Sequence, residues 1–209
     1  LRGPCMTIDT ACSSALTCTH VAMQAIRNND CKIAVVGAAS IISEPAQSLN
    51  FCRLGALSPE ARCKSFDDAA NGYIRSEGVC TMIIKKLSDA QADGDNILAI
   101  IKGSAINQDG KSKRLTAPST AAQGLMHEAA LKNAQLSPVD IDYIEAHGTG
   151  TKVGDPVEVN GLMLAYQQHR TKENPLIIGA IKSNIGHMEC NAGMASMFKV
   201  IVGLQHNII

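Results

Sequence analysis

Residues 141–151 read IDYIEAHGTGT, an apolar strand pattern that passes directly into a turn with two glycines. Residues 176–187, LIIGAIKSNIGH, repeat that plan and also end on a histidine. Each strand is therefore predicted to present one imidazole, His147 or His187, beyond its carboxyl end. Open α/β sheets bind ligands at that position. The remaining histidines fall on helical or terminal stretches, so these two are the candidate site residues.

Periodicity elsewhere in the chain predicts alternating helices and strands. Apolar residues recur at intervals of three and four from about residue 12 to residue 26, which is typical of a helix with one buried face. Residues 44–78 carry turn signals and are predicted to be irregular, and ordered loops of that length tend to be functional. The other predicted elements are strands at 32–38, 79–86, 97–106, 141–146 and 176–181 and helices at 120–134, 157–169 and 192–205. Such alternation predicts a mixed α/β sheet covered on both faces.

The composition is that of a globular protein. The chain has 209 residues, of which 45% are hydrophobic, and 19 basic side chains balance 19 acidic ones. This balance argues against a nucleic-acid binder, which carries a basic surplus, and against a disordered tail. The longest apolar stretch, residues 33–42, is about half of the roughly 20 residues that a membrane-spanning helix needs. We therefore expect neither a nucleic-acid partner nor a membrane partner.

The eight cysteines are unevenly spaced and are interpreted as reduced thiols of a cytoplasmic protein. No pair has the two-residue gap of a zinc knuckle, and His187 with Cys190 lacks a second half, so no metal site is expected. The chain starts at Leu1 rather than at a methionine and ends on an apolar run. Both ends indicate a piece of a longer protein.

One cysteine stands in a different setting from the others. Cys12 lies within DTACSS, residues 9–14, at the predicted junction of a turn and a helix. Unpaired N–H groups and the helix dipole at such a junction favour a thiolate and lower its pKa. The same N–H groups could hold the oxyanion that forms when a thioester carbonyl is attacked. The alternative is a small buried cysteine, which is the usual role of this residue type.

Three other active-site motifs are absent or incomplete. The glycines of GTGTKVG, residues 148–154, are spaced one residue too widely for a dinucleotide-binding fingerprint. The sequence GKS at 110–112 resembles the end of a phosphate-binding loop, but Ala105 stands where that loop requires glycine. No G-x-S-x-G elbow is present. A dinucleotide-dependent enzyme, a nucleotide hydrolase and a serine hydrolase are therefore disfavoured.

Several long motifs, taken together and in this order, resemble the β-ketoacyl synthase domain of type I polyketide and fatty acid synthases. They are DTACSS at 9–14, RLGALSPEARCKSFDDAANGYIRSEG at 53–78, SAINQDG at 104–110, EAHGTGTKVGDPVE at 145–158 and KSNIGH at 182–187. The resemblance implies a thiolase-like fold, an α/β/α/β/α layered sandwich, incomplete at both ends. Residues 1–209 would form a partial ketosynthase domain, with the end of its N-terminal half and most of its C-terminal half. The resemblance also implies a homodimer, in the cytoplasm.

The resemblance implies an acyltransferase that catalyses a decarboxylative Claisen condensation. Cys12 would accept an acyl group, while His147 and His187 would stabilise the enolate formed when a malonyl-type extender loses carbon dioxide. The partners implied are acyl and malonyl thioesters and an acyl carrier protein. The domain itself would bind no cofactor, since the phosphopantetheine arm of the carrier brings in the substrate.

Five further residues take roles from the same resemblance. Lys182, Asp155 and Glu158 resemble the ion network that fixes the two histidines, and the alternative for these charges is an ordinary surface salt-bridge cluster. Thr149 and Thr151 resemble the hydroxyls that bind the phosphopantetheine arm.

Some positions depart from the commonest pattern of the family. Ala15 stands where many relatives have a third serine, and Lys113 and Arg114 replace small polar residues. A polyketide synthase is favoured over the condensing domain of a type I fatty acid synthase. A non-catalytic ketosynthase-like module is the remaining alternative, but the sequence retains every catalytic residue that it covers.

Overall fold

The computed structural model describes residues 2–112 and 117–208. The departures at Lys113 and Arg114 therefore lie outside the described residues. In chain order the helices are α1 Ser14–Arg27, α2 Pro45–Arg53, α3 Leu87–Ala92, α4 Thr120–Ala134, α5 Gly154–Tyr166, α6 Lys182–Ile185 and α7 Ala192–His206. The strands are β1 Ile33–Ser40, β2 Gly78–Lys85, β3 Tyr143–Glu145 and β4 Ile177–Gly179. Short 3-10 turns lie at Ala11–Ser13, Pro138–Asp140, Gln167–His169 and Glu189–Asn191.

The chain divides into two compact units. The first unit contains Leu1–Ile41, Ser76–Ile101 and Met188–Ile209. The second unit contains Ile42–Arg75 and Lys102–His187. Cys12 therefore belongs to the first unit, and the two candidate histidines belong to the second.

The first unit is built on an antiparallel pair of strands. β1 and β2 pair over their full lengths, with Ile33 opposite Lys85 and Ser40 opposite Gly78. Because side chains alternate along a strand, one face of the pair is buried against α1 and α7, where Val36 packs with Ala15 of α1 and Met194 of α7. The other face is exposed and apolar, and its exposed side chains include Val35, Val79 and Ile83.

The second unit is built on a parallel pair of strands. β3 and β4 pair in register, with Tyr143 opposite Ile177 and Glu145 opposite Gly179. Helices α4 and α5 supply the core of this unit, which consists of Leu131, Leu162, Ala165 and Tyr166. Parallel strands end at the same edge of a sheet. The segments that follow β3 and β4 therefore begin side by side, as the repeated strand-and-turn plan predicts.

Most predicted elements are confirmed with bounds shifted by a few residues, but three predictions are wrong. The irregular region 44–78 contains helix α2. Residues 97–106 form no strand. The single mixed sheet covered on both faces is replaced, within the described residues, by two separate two-stranded sheets.

Physical reasons account for the two misplaced elements. Helix α2 is nine residues long and buries no residue completely, so its short periodic segment is not distinguished from the turn signals around it. The helix begins instead at Pro45, whose fixed φ suits a first helical position. The apolar segment 97–106 belongs to neither sheet of the described residues, and one of its backbone groups is bound by a side chain of α4: the N–H of Ser104 donates to Oδ1 of Asn133 at 3.1 Å.

Two further findings concern the described residues. No helix among them is both long enough and apolar enough to cross a membrane. All eight cysteines lie within the described ranges, and none of them forms a disulfide.

We expect Gly72→Ala to lower the free energy of unfolding by more than about 2 kcal/mol. Gly72 has a φ of +131°, and an added Cβ would lie 2.6 Å from backbone atoms of Leu57 and Ser58. Urea unfolding measures the change. The matched control is Gly55→Ala in the same unit, where φ is +66° and no atom lies within 4 Å of the added Cβ. That control should cost about 1 kcal/mol, and equal costs would contradict the close approach at Gly72.

Candidate active site

The cysteine predicted as a nucleophile lies in a tight turn at the start of a helix. Cys12 is the middle residue of the 3-10 turn Ala11–Ser13, which leads directly into α1. The predicted junction of turn and helix is therefore confirmed. Ala11 has a left-handed φ of 54°, which costs a non-glycine residue about 1–3 kcal/mol. Its N–H donates to the carboxylate of Asp9 at 2.9 Å, which helps to hold this conformation.

Ser14 locks the same turn from its buried side. Its side chain is 5% exposed. The hydroxyl accepts the N–H of Thr10 at 2.9 Å and donates to the carbonyl of Ala11 at 2.7 Å. The backbone that leads into Cys12 is thus held by one side chain from the residue two positions after it, while Cys12 itself remains half-buried rather than sealed in the core.

The turn that carries the first histidine is held by a carboxylate. Both oxygens of Glu158 accept backbone N–H groups, from His147 at 2.6 Å and from Gly148 at 2.9 Å. Gly148 has a φ of +47°, and an added Cβ would lie 2.5 Å from Cβ of Ala180. Only glycine allows the segment after β3 to pass so close to the end of β4.

A second carboxylate, from the same helix as Glu158, holds the end of this turn. Asp155 is 4% exposed. One of its oxygens accepts the N–H of Gly150 at 3.1 Å, and the other accepts the N–H of Phe66 at 2.7 Å. Asp155 therefore ties the glycine turn to the long loop that precedes β2.

The second histidine lies beside the first. His187 is 1% exposed. The backbone N–H of His187 donates to the carbonyl of Ile74 at 2.7 Å, and its backbone also forms an isolated parallel bridge with Arg75. The ring centroids of His147 and His187 are 5.4 Å apart, with an angle of 87° between the ring planes. The two strand ends thus deliver a pair of adjacent imidazoles.

The remaining predicted residues also lie in the second unit. Lys182 opens α6 and is 3% exposed, so it does not belong to a surface salt-bridge cluster. Thr149 is buried, and its hydroxyl oxygen lies 3.2 Å from that of Thr151. The Thr151 hydroxyl also accepts the N–H of Gly154 at 3.1 Å.

Comparisons with known proteins cover nearly the whole chain. The family described as "Beta-ketoacyl synthase, N-terminal domain" matches residues 1–90, and "Beta-ketoacyl synthase, C-terminal domain" matches residues 98–209. The chain belongs to the β-ketoacyl synthase family. This finding confirms the family that the motifs indicate.

The relatives of this β-ketoacyl synthase chain are much larger proteins, and the chain matches a small part of each. The chain is 46% identical over 209 residues to a phenolphthiocerol/phthiocerol polyketide synthase of Mycobacterium tuberculosis, and the match covers 100% of this chain but 11% of the relative. It is 45% identical over 206 residues to erythronolide synthase EryA3 of Saccharopolyspora erythraea, which corresponds to 99% of this chain and 6% of that protein.

Solved ketosynthase structures confirm the fold class. The oxazolomycin ketosynthase domain OzmH KS7 of Streptomyces albus JA3453 has a TM-score of 0.94 at 44% identity, over 98% of this chain and 35% of that chain. The ketosynthase from module 6 of the bacillaene synthase of Bacillus subtilis 168 has a TM-score of 0.91 at 44% identity, over 95% of this chain and 36% of that one. The ketosynthase chain described here therefore has the thiolase-like α/β fold and spans about a third of these domains.

Both imidazoles of this ketosynthase chain are neutral at pH 7. His147 is exposed as a residue, yet the protein atoms packed around its imidazole lower the pKa of His147 to about 4, and the charge of Lys182 acts in the same direction. Burial lowers the pKa of His187 to about 3, with further lowering by Lys182 and by His147. A neutral imidazole retains one N–H donor and one acceptor nitrogen. The pair can therefore donate hydrogen bonds without carrying charge.

Burial also affects the carboxyl group that holds the turn. It raises the pKa of Glu158, although the N–H groups of Gly148 and His147 and the charge of Lys182 act in the opposite direction. Those two N–H groups and that cation stabilise the ionised carboxylate.

Sequence reasoning assigned no role to two residues of the ketosynthase site. The carboxylate of Glu145 accepts the Tyr143 hydroxyl and, at 2.5 Å, the N–H of Ile181, so it connects the ends of β3 and β4. The ring of Tyr73 lies against His187, with a centroid separation of 5.0 Å. Both residues fall within quoted family motifs, but only their positions in the fold indicate what they contact.

We expect Ser14→Ala to lower the free energy of unfolding by about 1–3 kcal/mol, because it leaves the Thr10 N–H without its hydroxyl acceptor. Urea unfolding followed by circular dichroism measures the change. The matched control is Ser13→Ala, which removes an exposed hydroxyl from the same turn and should change stability by less than about 0.5 kcal/mol. Similar losses for both variants would contradict the role assigned to Ser14.

We also expect the stability of the protein to fall as the pH is lowered from 7 to 5. Unfolded histidines titrate near pH 6.5, whereas the folded pKa values of His147 and His187 are about 4 and about 3. Between those values the unfolded chain binds more protons, so the free energy of unfolding decreases with decreasing pH. Urea unfolding between pH 5 and pH 8 measures the slope.

The variant His187→Gln tests the origin of that slope. It should make stability less dependent on pH, although His127, whose pKa is also lowered by burial, retains part of the effect. The internal control is the free energy of unfolding measured between pH 7.5 and pH 8. There the imidazoles are neutral in both states and the variant should differ from the wild type by a constant amount. A slope identical to that of the wild type would contradict the lowered pKa of His187.

Proposed function

We propose that this chain carries the condensing site of a type I polyketide synthase. The reaction is a decarboxylative Claisen condensation between an acyl group on Cys12 and a malonyl-type extender, which makes the enzyme an acyltransferase. In this proposal residues 1–209 are part of one ketosynthase domain. The polyketide assignment is supported by the relative at 46% identity, which is described as a polyketide synthase.

The observation that carries the proposal is the pair of neutral imidazoles. Loss of carbon dioxide from a malonyl thioester leaves its electron pair on an enolate, whose oxygen becomes negatively charged. Hydrogen bonds aimed at that oxygen lower the barrier, and they are most effective where water is excluded. His147 and His187 can each donate one N–H, and their low pKa values keep them in this form at neutral pH. Neither imidazole has to gain or lose a proton in this step.

Cys12 provides the covalent half of the reaction. Its thiolate attacks the carbonyl carbon of an incoming acyl thioester, the carrier thiolate leaves, and the acyl group is stored on the sulfur. The enolate carbon formed at the imidazoles then attacks that acyl carbonyl. A carbon–carbon bond forms, the bond to the Cys12 sulfur breaks, and the sulfur leaves as a thiolate. The position of Cys12 in a strained turn before α1 supports this role.

The other predicted residues act through position and binding. Asp155 and Glu158 hold the backbone around His147, and the buried charge of Lys182 acts on both imidazoles. Thr149 and Thr151 fit a phosphopantetheine arm, because each hydroxyl retains at least one hydrogen-bonding position besides the bond between them and the bond from Gly154 to Thr151. In the proposal these two hydroxyls bind the amides of that arm.

The proposed partners follow from the chemistry of the reaction. Acyl and malonyl groups arrive as thioesters on the phosphopantetheine arm of an acyl carrier protein, and the domain binds no cofactor of its own. We place the reaction in the cytoplasm and the active domain in a homodimer. Support for the carrier comes from the polyketide synthases to which this chain is similar.

Substitution of Cys12 tests the covalent step in the protein that carries these 209 residues. With Cys12→Ala we expect no acyl adduct by mass spectrometry after incubation with an acyl thioester, and no condensation. Release of carbon dioxide from a malonyl thioester should continue, because both imidazoles remain. The matched control is Cys18→Ala, which removes a half-buried thiol six residues away, in α1, and which should acylate normally. A Cys12→Ala protein that acylates at the normal rate would refute the assignment.

Substitution of the histidines tests the decarboxylation step. His147→Ala and His187→Ala should each reduce decarboxylation by about 10²–10³-fold, which is the usual effect of removing one donor to a developing oxyanion. An acyl adduct should still form on Cys12 in both variants. Wild-type protein that acylates but neither decarboxylates nor condenses would instead support a non-catalytic ketosynthase-like module.

A further inference from the structure

The imidazole of His187 contacts a second ring besides His147. The rings of Tyr73 and His187 have centroids 5.0 Å apart and an angle of 60° between their planes, which is an edge-to-face arrangement. We propose that Tyr73 is a positioning residue that sets the orientation of the His187 ring for decarboxylation. This inference rests on the proposed function, since it assigns Tyr73 to the same reaction.

The backbone beside Tyr73 holds His187 as well. The carbonyl of Ile74 accepts the backbone N–H of His187 at 2.7 Å, and Arg75 pairs with the backbone of His187 in a parallel bridge. Residues 73–75 thus hold both the main chain and the ring of His187. Tyr73 is itself fixed, because its N–H donates to the carbonyl of Ala56 at 3.0 Å. The ring of His187 therefore contacts a segment that is hydrogen-bonded to the rest of its unit.

Tyr73 also contacts helix α2, so its ring has an aromatic neighbour besides His187. Phe51 of α2 meets Tyr73 edge to face, with centroids 6.2 Å apart and an interplanar angle of 63°. The guanidinium of Arg75 lies 5.3 Å from the centroid of Phe51. Arg75 also donates to the side chains of Ser48 at 2.6 Å and Gln47 at 2.9 Å. The otherwise exposed helix α2 is therefore attached to the histidine through Phe51 and Tyr73.

The expected effect follows from how hydrogen bonds to an enolate work. A donor stabilises the developing charge only if its N–H points at the position that the oxygen will occupy. A displacement of about 1 Å can reduce the rate by about 10²-fold. Without an aromatic ring at position 73, the imidazole of His187 can rotate and lose that alignment. Substrate binding depends less on this alignment than the chemical step does.

The experiment compares Tyr73→Leu with the matched variant Tyr73→Phe, which retains the ring. For Tyr73→Leu we expect kcat for malonyl decarboxylation to fall by about 10- to 100-fold, with less than about a threefold change in KM. Tyr73→Phe should remain within about threefold of the wild type. Phe51→Leu, which removes the outer ring without touching His187, should give a smaller loss than Tyr73→Leu.

A spectroscopic measurement separates positioning from a general loss of structure. Nuclear magnetic resonance of protein with labelled histidine should show a changed chemical shift and titration for His187 in Tyr73→Leu but not in Tyr73→Phe. Formation of the acyl adduct on Cys12 should be unaffected in both variants. A folded Tyr73→Leu protein with wild-type kcat and an unchanged His187 signal would overturn the inference.

Two further outcomes have clear meanings. If Tyr73→Leu does not fold, Tyr73→Met, which also removes the ring, becomes the deciding variant, and a wild-type His187 signal with wild-type kcat in that protein would overturn the inference. If the wild-type protein does not decarboxylate malonyl thioesters, the proposed function fails. The His187 signal would then still test whether Tyr73 orients the ring.

Discussion

Two carboxylates at the start of α5 hold the turn on which the histidine pair depends. Glu158 binds the N–H groups of His147 and Gly148, and Asp155 binds that of Gly150. A glycine-rich turn has little intrinsic preference for one conformation, so these hydrogen bonds select the one that is observed. Charge-assisted hydrogen bonds to carboxylates are among the stronger ones in proteins. The position of the first imidazole is thereby fixed by a helix rather than by the loop itself.

The same region accommodates a buried cation without charging the imidazoles. Lys182 is almost fully buried, and its charge helps to lower the pKa values of both histidines. Burial and a neighbouring positive charge both disfavour the protonated form. The charge of Lys182 also acts on Glu158, whose pKa it lowers while burial raises that pKa. The electrostatic result is a pair of hydrogen-bond donors that remain neutral across the physiological pH range.

Secondary structure was predictable where it produces a periodic apolar face. Helices α1, α4 and α7 were all predicted close to their observed bounds because one side of each packs on a core. Helix α2 was not predicted, since it buries no residue completely and is held instead by contacts of Phe51 and by hydrogen bonds from Arg75. The strand predicted at 97–106 was wrong, because an apolar run becomes a strand only when a neighbouring strand pairs with it.

The sequence by itself determined the family, the candidate nucleophile and the two strand ends that each present a histidine, because these features are encoded in contiguous motifs. Their presence does not depend on what lies nearby in space. Only the tertiary structure decided that Tyr73 and Phe51 support His187, that Glu158 holds the backbone of His147, and that both imidazoles are neutral at pH 7. These properties arise from burial and from contacts between segments far apart in the chain, and no local pattern of residues specifies which distant groups will surround a side chain.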